Sequence, residues 1–266
     1  MSEPEVLHEL TNEGILIVTL NRPEHMNAIN AGIMEGIQSA LKDVKENNDI
    51  RVLVLTGNGR GFCAGADVST GGPVRSADAV KSRADVMDNQ GPGNFIEALS
   101  ESYVPIIGAI NGATAGAGFG LSLCCDVRIA SDQARMGSIF IKRGVGPDYA
   151  TSYWLPRIVG LSKAYELMYS GDLLDAHAAL EIGLVNRVVP HDSLMEETLA
   201  YARVIAKGPP LANALTRRTL VQSLDNSLHQ HLILEWVQQK ELLASKDARE
   251  GFTAFLEKRE PKFKGS

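Results

Sequence analysis

The sequence predicts an α/β protein that ends in an all-helical part. Three observations predict it. Short apolar, β-branched runs recur as strand candidates at Ile15–Leu20, Val52–Thr56, Val104–Ile110 and Val127–Ala130. Two of these runs open into glycine-rich turns, one of which leads into a helix. From Leu194 onward the periodicity is helical and no strand-like run returns. Residues 1–190 are therefore expected to form a core and residues 191–266 a helical C-terminal region.

The elements follow in order. Val6–Leu10 and Ile15–Leu20, joined through Asn12-Glu13-Gly14, predict a hairpin that Arg22-Pro23 ends. Ile33, Ile37, Ala40, Leu41 and Val44 share a helical face over Ala31–Val44, and Asn47-Asn48-Asp49 breaks it. Val52–Thr56 is a short buried strand, followed by the turn Gly57–Asp67. Residues Thr70–Gly93 are polar between glycine–proline clusters and predict a mobile flap or a helix between loops. Val127–Ala130 is another strand, and Arg135–Gly137 begins one more. A helix is expected from about Tyr149 to Ile158, with Asp148 placed as its N-cap. Further helices are expected over Lys163–Tyr169 and Ala176–Ile182, each stopped by a glycine, and a last strand over Val185–Val189. Leu194–Lys207, Leu211–Leu224, Leu228–Ala244 and Ala248–Leu256 complete the helical part.

The stretch richest in chemistry is Asn111-Gly-Ala-Thr-Ala-Gly116-Ala117-Gly118-Phe119-Gly120, between a strand and a helix. The first turn of a helix carries backbone N–H groups without intrahelical partners, at the positive end of its dipole. Small residues let a ligand oxygen approach them. Two ligands suit such a turn: a phosphate, or a carbonyl oxygen that becomes negative during reaction. A third reading is a turn that only lets helix and strand pack closely. The spacing Gly116-x-Gly118-x-Gly120 is not the dinucleotide fingerprint, and the chain has no Gly-Lys-Ser/Thr phosphate loop.

Composition narrows the function classes. The 266 residues are 44% hydrophobic and 22% charged, with a net charge of −6, which argues against nucleic-acid binding. Three cysteines, two of them adjacent, make no disulfide framework and suit a reducing compartment. The acidic Met1-Ser-Glu-Pro-Glu start has no signal-peptide run behind it, and no apolar stretch reaches the roughly 20 residues a membrane span needs. A cytoplasmic protein without a membrane partner is expected. His177, His191, His229 and His231 lack metal-ligand company, so no metal site is expected.

Both glycine turns belong to a longer series of motifs: Arg22-Pro-Glu-His-Met-Asn-Ala28, Gly61-Phe-Cys-Ala-Gly-Ala-Asp67, Asn111–Gly118, Cys125-Asp-Val-Arg-Ile-Ala130, Leu155-Pro-Arg-Ile-Val-Gly160 and the closing Phe255–Phe263. In this order, over nearly the whole chain, they resemble the crotonase superfamily, the enoyl-CoA hydratase/isomerase family. The resemblance implies a crotonase-type spiral of ββα units, assembled as homotrimers or dimers of trimers. It implies an acyl-CoA substrate, with coenzyme A as part of the substrate and no covalently bound cofactor. It also implies an oxyanion hole from the backbone amides of Ala66 and Ala117. Ala117 stands where the family commonly has glycine, which a negative φ permits. Arg22, Met26, Ala28 and Ala64, with Gly65, Asp67 and Val68, would border the coenzyme and acyl group beside Gly116 and Gly118. Lys258 and Phe263 would serve its phosphates and adenine. Asp67 has a second reading, as a brace for its own loop.

The family's reactions differ by their acids, so the fold alone does not choose among them. Hydratases of this family position water with two glutamates, and here Gly120 and Phe140 hold those places. Asp148 remains, similar to the Pro-Asp or Pro-Glu single base of Δ3,Δ2-enoyl-CoA isomerases and ring-opening isomerases. One carboxylate can move a proton from C2 to C4 if water is excluded, and Phe140 would help exclude it. Tyr149, Tyr153 and Trp154 could line the acyl pocket or simply pack a helix. Rival expectations are an atypical hydratase, a hydrolase or dehalogenase with Asp148 as nucleophile, and a silent homologue that binds CoA esters or RNA. The dehalogenase lacks support in a missing histidine between positions 70 and 105 and in Phe140 where that branch has tryptophan.

Overall fold

The computed structural model describes residues 3–69 and 91–266. The flap expected over Thr70–Gly93 lies, up to position 90, outside the described residues.

The strands are β1 Val6–Leu10, β2 Ile15–Leu20, β3 Val52–Gly57, β4 Gly61–Cys63, β5 Ile106–Ile110, β6 Ala113–Ala115, β7 Val127–Ser131, β8 Arg135–Gly137, β9 Leu174–Asp175 and β10 Arg187–Val189. Among the described residues they form two sheets, in the orders β1-β2-β3-β5-β7-β10 and β4-β6-β8-β9. All pairs are parallel except β1 with β2 and β8 with β9. Successive pairs β3/β4, β5/β6 and β7/β8 each give one strand to each sheet, so the chain winds as a spiral. Helices are inserted between the turns of that spiral, and the expected α/β fold follows.

The helices are α1 Ala31–Glu46, α2 Gly93–Ser100, α3 Ala117–Leu123, α4 Thr151–Val159, α5 Leu161–Ser170, α6 Ala176–Glu181, α7 Leu194–Ala206, α8 Pro210–Gln222, α9 Leu228–Leu243 and α10 Lys246–Glu257. The apolar face of α1 buries Ile33, Ile37, Ala40 and Val44, and the Asn30 side chain caps it by accepting from Ile33 N at 2.9 Å. The larger sheet is covered on both faces, which is why β3 and β5 are buried along their whole length. One core joins α1, α2 and α3 to Leu53, Leu55, Ile106 and Ile110. The other packs Leu194, Ala202 and Ala206 of α7 on Ile15, Val52, Val54 and Ile107. α7 thus belongs to the sheet's packing, and α8–α10 form the outer helices.

The short strands set the position of the site. β4 and β6 are parallel neighbours, with Gly61 opposite Ala113 and Cys63 opposite Thr114. Their C-terminal ends lie side by side, and each runs into one of the glycine turns.

Candidate active site

The turn after β4 is tied to the loop that follows β2. Ile29 N donates to Gly65 O at 2.7 Å and Asp67 N to Ile29 O at 2.9 Å, a parallel bridge centred on Ala66. In such a bridge the central residue's own N–H points away from the bridging strand. Among the described residues, neither Ala66 N nor Ala117 N donates to a protein acceptor. Ala117 is the first residue of α3, where an amide lacks an intrahelical partner, and its φ is negative as expected. The two turns meet: a Cβ built on Gly65 would lie 3.8 Å from Ala117 N. Gly116 has φ +53°, a conformation that glycine adopts without a steric cost. Gly118 is fixed by packing, since a Cβ there would lie 2.1 Å from Cys63 O.

Side-chain amides hold the corners beneath these turns. Buried Asn27 accepts from Arg22 N at 2.8 Å and donates to Asn58 O at 2.9 Å and Gly61 O at 2.7 Å. Asn111 accepts from Gly57 N at 3.2 Å and donates to Gly59 O at 2.9 Å. Neither asparagine was singled out from the sequence, although both stand in its motifs. Two asparagines aimed at one glycine-rich corner were the available signal.

Arg22 is tied up by protein partners. It is 8% exposed. Its guanidinium donates to Ala28 O at 2.7 Å and Asp67 Oδ2 at 2.8 Å, and pairs with Glu5 at 3.2 Å. It locks the Arg22–Ala28 loop to the Ala64–Val68 turn. Asp67 completes that brace. Hydrogen bonds from Ser69 and then from Arg22 hold its carboxyl well below the usual carboxylate range. Met26, in the left-handed region, accepts from Ala64 N at 3.0 Å, and Val68 is exposed.

The second half of the site comes from the segment after β8. Phe140 is buried in a short 3-10 helix, Ile139–Arg143, and its ring would lie 3.9 Å from a Cβ at Gly116. Tyr149 packs on α3: a Cβ at Gly120 would lie 2.7 Å from both Tyr149 Cβ and Tyr149 O. The space beside Gly120, where the resemblance places a hydratase's glutamate, is therefore filled by Tyr149 and by Thr151 Oγ1, 2.8 Å from that Cβ. Tyr149 and Ala150 both have positive φ, +49° and +53°, which costs about 1–3 kcal/mol each and persists only where the surroundings enforce it. The buried Tyr149 ring, edge-on to Phe95 at 6.3 Å, is one such constraint. Burial pushes the Tyr149 hydroxyl up to about 12, helped by the charge of Asp148.

Asp148 is not the helix cap the sequence predicted. The helix begins later, at Thr151, and its N-cap is Ala150 without a side-chain bond. Only the Asp148 carbonyl serves the turn, accepting from Thr151 N at 2.9 Å. Asp148 lines a cavity of about 550 Å3 together with Ile96 of α2, Tyr149, Tyr153 and Trp154, and Val221 of α8. The carboxyl reaches the surface there, yet partial desolvation raises its pKa above the ordinary value.

Lys258 and Phe263 are not brought to this site within one chain. Phe263 packs on Gly251 of α10, and its carbonyl accepts from Arg51 at 3.1 Å. Arg51 precedes β3, at the end opposite the glycine turn, and six residues of strand span about 20 Å. Exposed Lys258 ends α10. The three cysteines are buried, and burial pushes the thiols of Cys63 and Cys125 up to about 12. Among the described residues, no group of His, Cys, Asp and Glu could hold a metal ion, and no helix is long and apolar enough to cross a membrane.

Known proteins share this architecture over its full length. The family model for enoyl-CoA hydratase/isomerase matches residues 10–266. A probable enoyl-CoA hydratase of Rhodobacter capsulatus is 36% identical, with 100% of each chain covered. The 1,2-epoxyphenylacetyl-CoA isomerase of Escherichia coli is 35% identical over 95% of this chain and 96% of its own. The crystal structure of an enoyl-CoA hydratase/isomerase from Cupriavidus metallidurans superposes with a TM-score of 0.90 at 32% identity, covering 100% of this chain and 98% of that one. With the spiral, both glycine turns and a family match across nearly every residue, the chain belongs to the enoyl-CoA hydratase/isomerase family.

Proposed function

We propose that the protein is an acyl-CoA enzyme that shifts a double bond, Δ3 to Δ2, by single-carboxylate proton transfer. Relatives carry both hydratase and isomerase names, so the acids must decide. One observation carries the choice. Of the three positions that supply acids in this family, Asp148 alone is ionisable, Phe140 is buried and apolar, and Gly120 has no room for any side chain.

In this reading the thioester oxygen of the substrate sits at the amides of Ala66 and Ala117. The carboxylate of Asp148 takes a proton from C2, and the negative charge moves onto the thioester oxygen. The two amides stabilise it, each worth about 3–4 kcal/mol if removed. Asp148 then returns the proton at C4 as the double bond moves into conjugation. No water enters the balance. The raised pKa of Asp148 suits a base that must also give the proton back. Pantetheine and adenine would lie along the Met26–Ala28 and Ala64–Val68 loops.

The outer helices expose large apolar side chains, among them Leu228, Trp236, Phe255 and Leu256. We read them as the interface of a homotrimer or dimer of trimers. Lys258 and Phe263, remote from their own chain's site, would then serve a neighbouring copy.

The test is Asp148→Asn with a 3-enoyl-CoA. Acyl-CoA binding is expected to persist while turnover falls about 10²–10⁴-fold, because the amide cannot accept the proton. Unchanged turnover would remove Asp148 from the mechanism, and rapid hydration of crotonyl-CoA would favour the hydratase reading.

A further inference from the structure

We infer that one face of α8 is the outer wall of the acyl pocket and that Val221 on that face determines which acyl groups fit. The inference rests on Asp148 as the base, since the pocket in question is the cavity that Asp148 lines. Val221 lines that cavity with Ile96, Tyr149, Tyr153 and Trp154. Arg217 precedes it by one helical turn on the same face, and Asp225 follows it in the turn just past the helix.

Both neighbours grip a different wall of the same cavity. Arg217 is 6% exposed and spends its donors on the end of α2. Its Nη1 donates to Ser100 O at 2.6 Å and Ser102 O at 3.1 Å, and its Nη2 to Leu99 O at 2.9 Å. Its Nε donates to Asp126 at 2.8 Å, and Asp126 also accepts from Ile106 N at 2.7 Å, at the start of β5. Asp225, just past α8, accepts from the Tyr153 hydroxyl and from Arg157 Nη2 at 3.0 Å, both on α4. Arg157 lies 3.6 Å over the Tyr153 ring, which stiffens the pair.

The wall is therefore pinned at two points, to the helix that carries Ile96 and to the helix that carries Tyr153 and Trp154. Val221 stands between the pins. A wall tied at both ends resists moving outward to admit a larger acyl group, so the size of the side chain at 221 becomes a size limit. The positions nearest the thioester are set by the glycine turns instead. A change at 221 should thus affect the far end of the acyl chain and spare its reacting end.

The test is kcat/KM for 3-enoyl-CoA esters of increasing chain length, on the full-length protein. Val221→Trp is expected to lower the ratio of long-chain to short-chain kcat/KM by at least about tenfold, and Val221→Ala to raise it. Asp225→Asn, which loosens one pin, should move the ratio in the direction of Val221→Ala. Equal losses at every chain length, or none, would overturn the inference. Asp148→Asn run beside them separates the two claims. If that variant keeps its turnover, the reading of the base fails. If it loses turnover while the Val221 ratios stay flat, the size limit alone fails.

Discussion

At the scale of single residues, Asp148 is where sequence and structure diverge most usefully. A Pro-Asp before a helix usually signals a cap. Here the positive φ of Tyr149 and Ala150 delays the helix by two residues and leaves the carboxyl without a capping bond. Its pKa sits above the ordinary value because desolvation disfavours the charged form. Between its unfolded and folded pKa values the native state binds more protons than the unfolded state. Stability contributed by this group is therefore present at low pH and is lost as pH rises through the folded value. We predict that kcat/KM falls on the acid side with an apparent pKa above the ordinary aspartate value of about 3.9, and that Asp148→Asn is at least as stable as the wild type at neutral pH. An acid limb at or below that value, or a lower melting temperature for the variant, would contradict the assignment. Arg22 teaches the opposite lesson. Its motif pointed to the coenzyme, and three protein partners on its guanidinium make it a brace of the loops in that motif. Motif position gives the neighbourhood of a side chain, not the direction of its hydrogen bonds.

At the scale of elements, long periodic segments were legible. The spans of β1 and β2 follow from their apolar, β-branched runs around a turn, and the α1 face from its helical spacing, since Ile33, Ile37, Ala40 and Val44 are the residues it buries. The second sheet was not legible. β4 and β6 are three residues each and sit inside glycine-rich stretches, so they carry no hydrophobic period. They are held by neighbours and by Asn27 and Asn111. The short strand β9 and the helix α2, packed through Phe95, Ile96 and Leu99, were likewise unread. Close packing at α3 yields a prediction. Gly120→Ala puts a methyl 2.7 Å from Tyr149 Cβ and its carbonyl oxygen, neither of which is a flexible tip. Urea unfolding should show a loss of about 1–3 kcal/mol. A Gly120→Glu variant that folds and gains fast crotonyl-CoA hydration would show that the space can open.

For the whole molecule, the spiral brings the ends of β4 and β6 together and packs Tyr149 and Thr151, just past Asp148, against Gly120 of α3, while α8 gives Val221 to the cavity that Asp148 lines. Those helices also leave Leu228, Trp236, Phe255 and Leu256 exposed on the single chain. Light scattering is predicted to give three or six chain masses, and a stable monomer would leave that apolar surface without a purpose. The family was legible because six motifs occur in order across the chain, whereas any single glycine turn left phosphate, oxyanion and plain packing open. The central claim is that the amides of Ala66 and Ala117 hold one thioester oxygen beside Asp148. A crystal structure of Asp148→Asn with a bound 3-enoyl-CoA tests it most directly. The account predicts that oxygen within about 3.1 Å of both amides, with C2 against the side chain at 148. A thioester bound elsewhere, or held by one amide with C2 turned away from position 148, would contradict it.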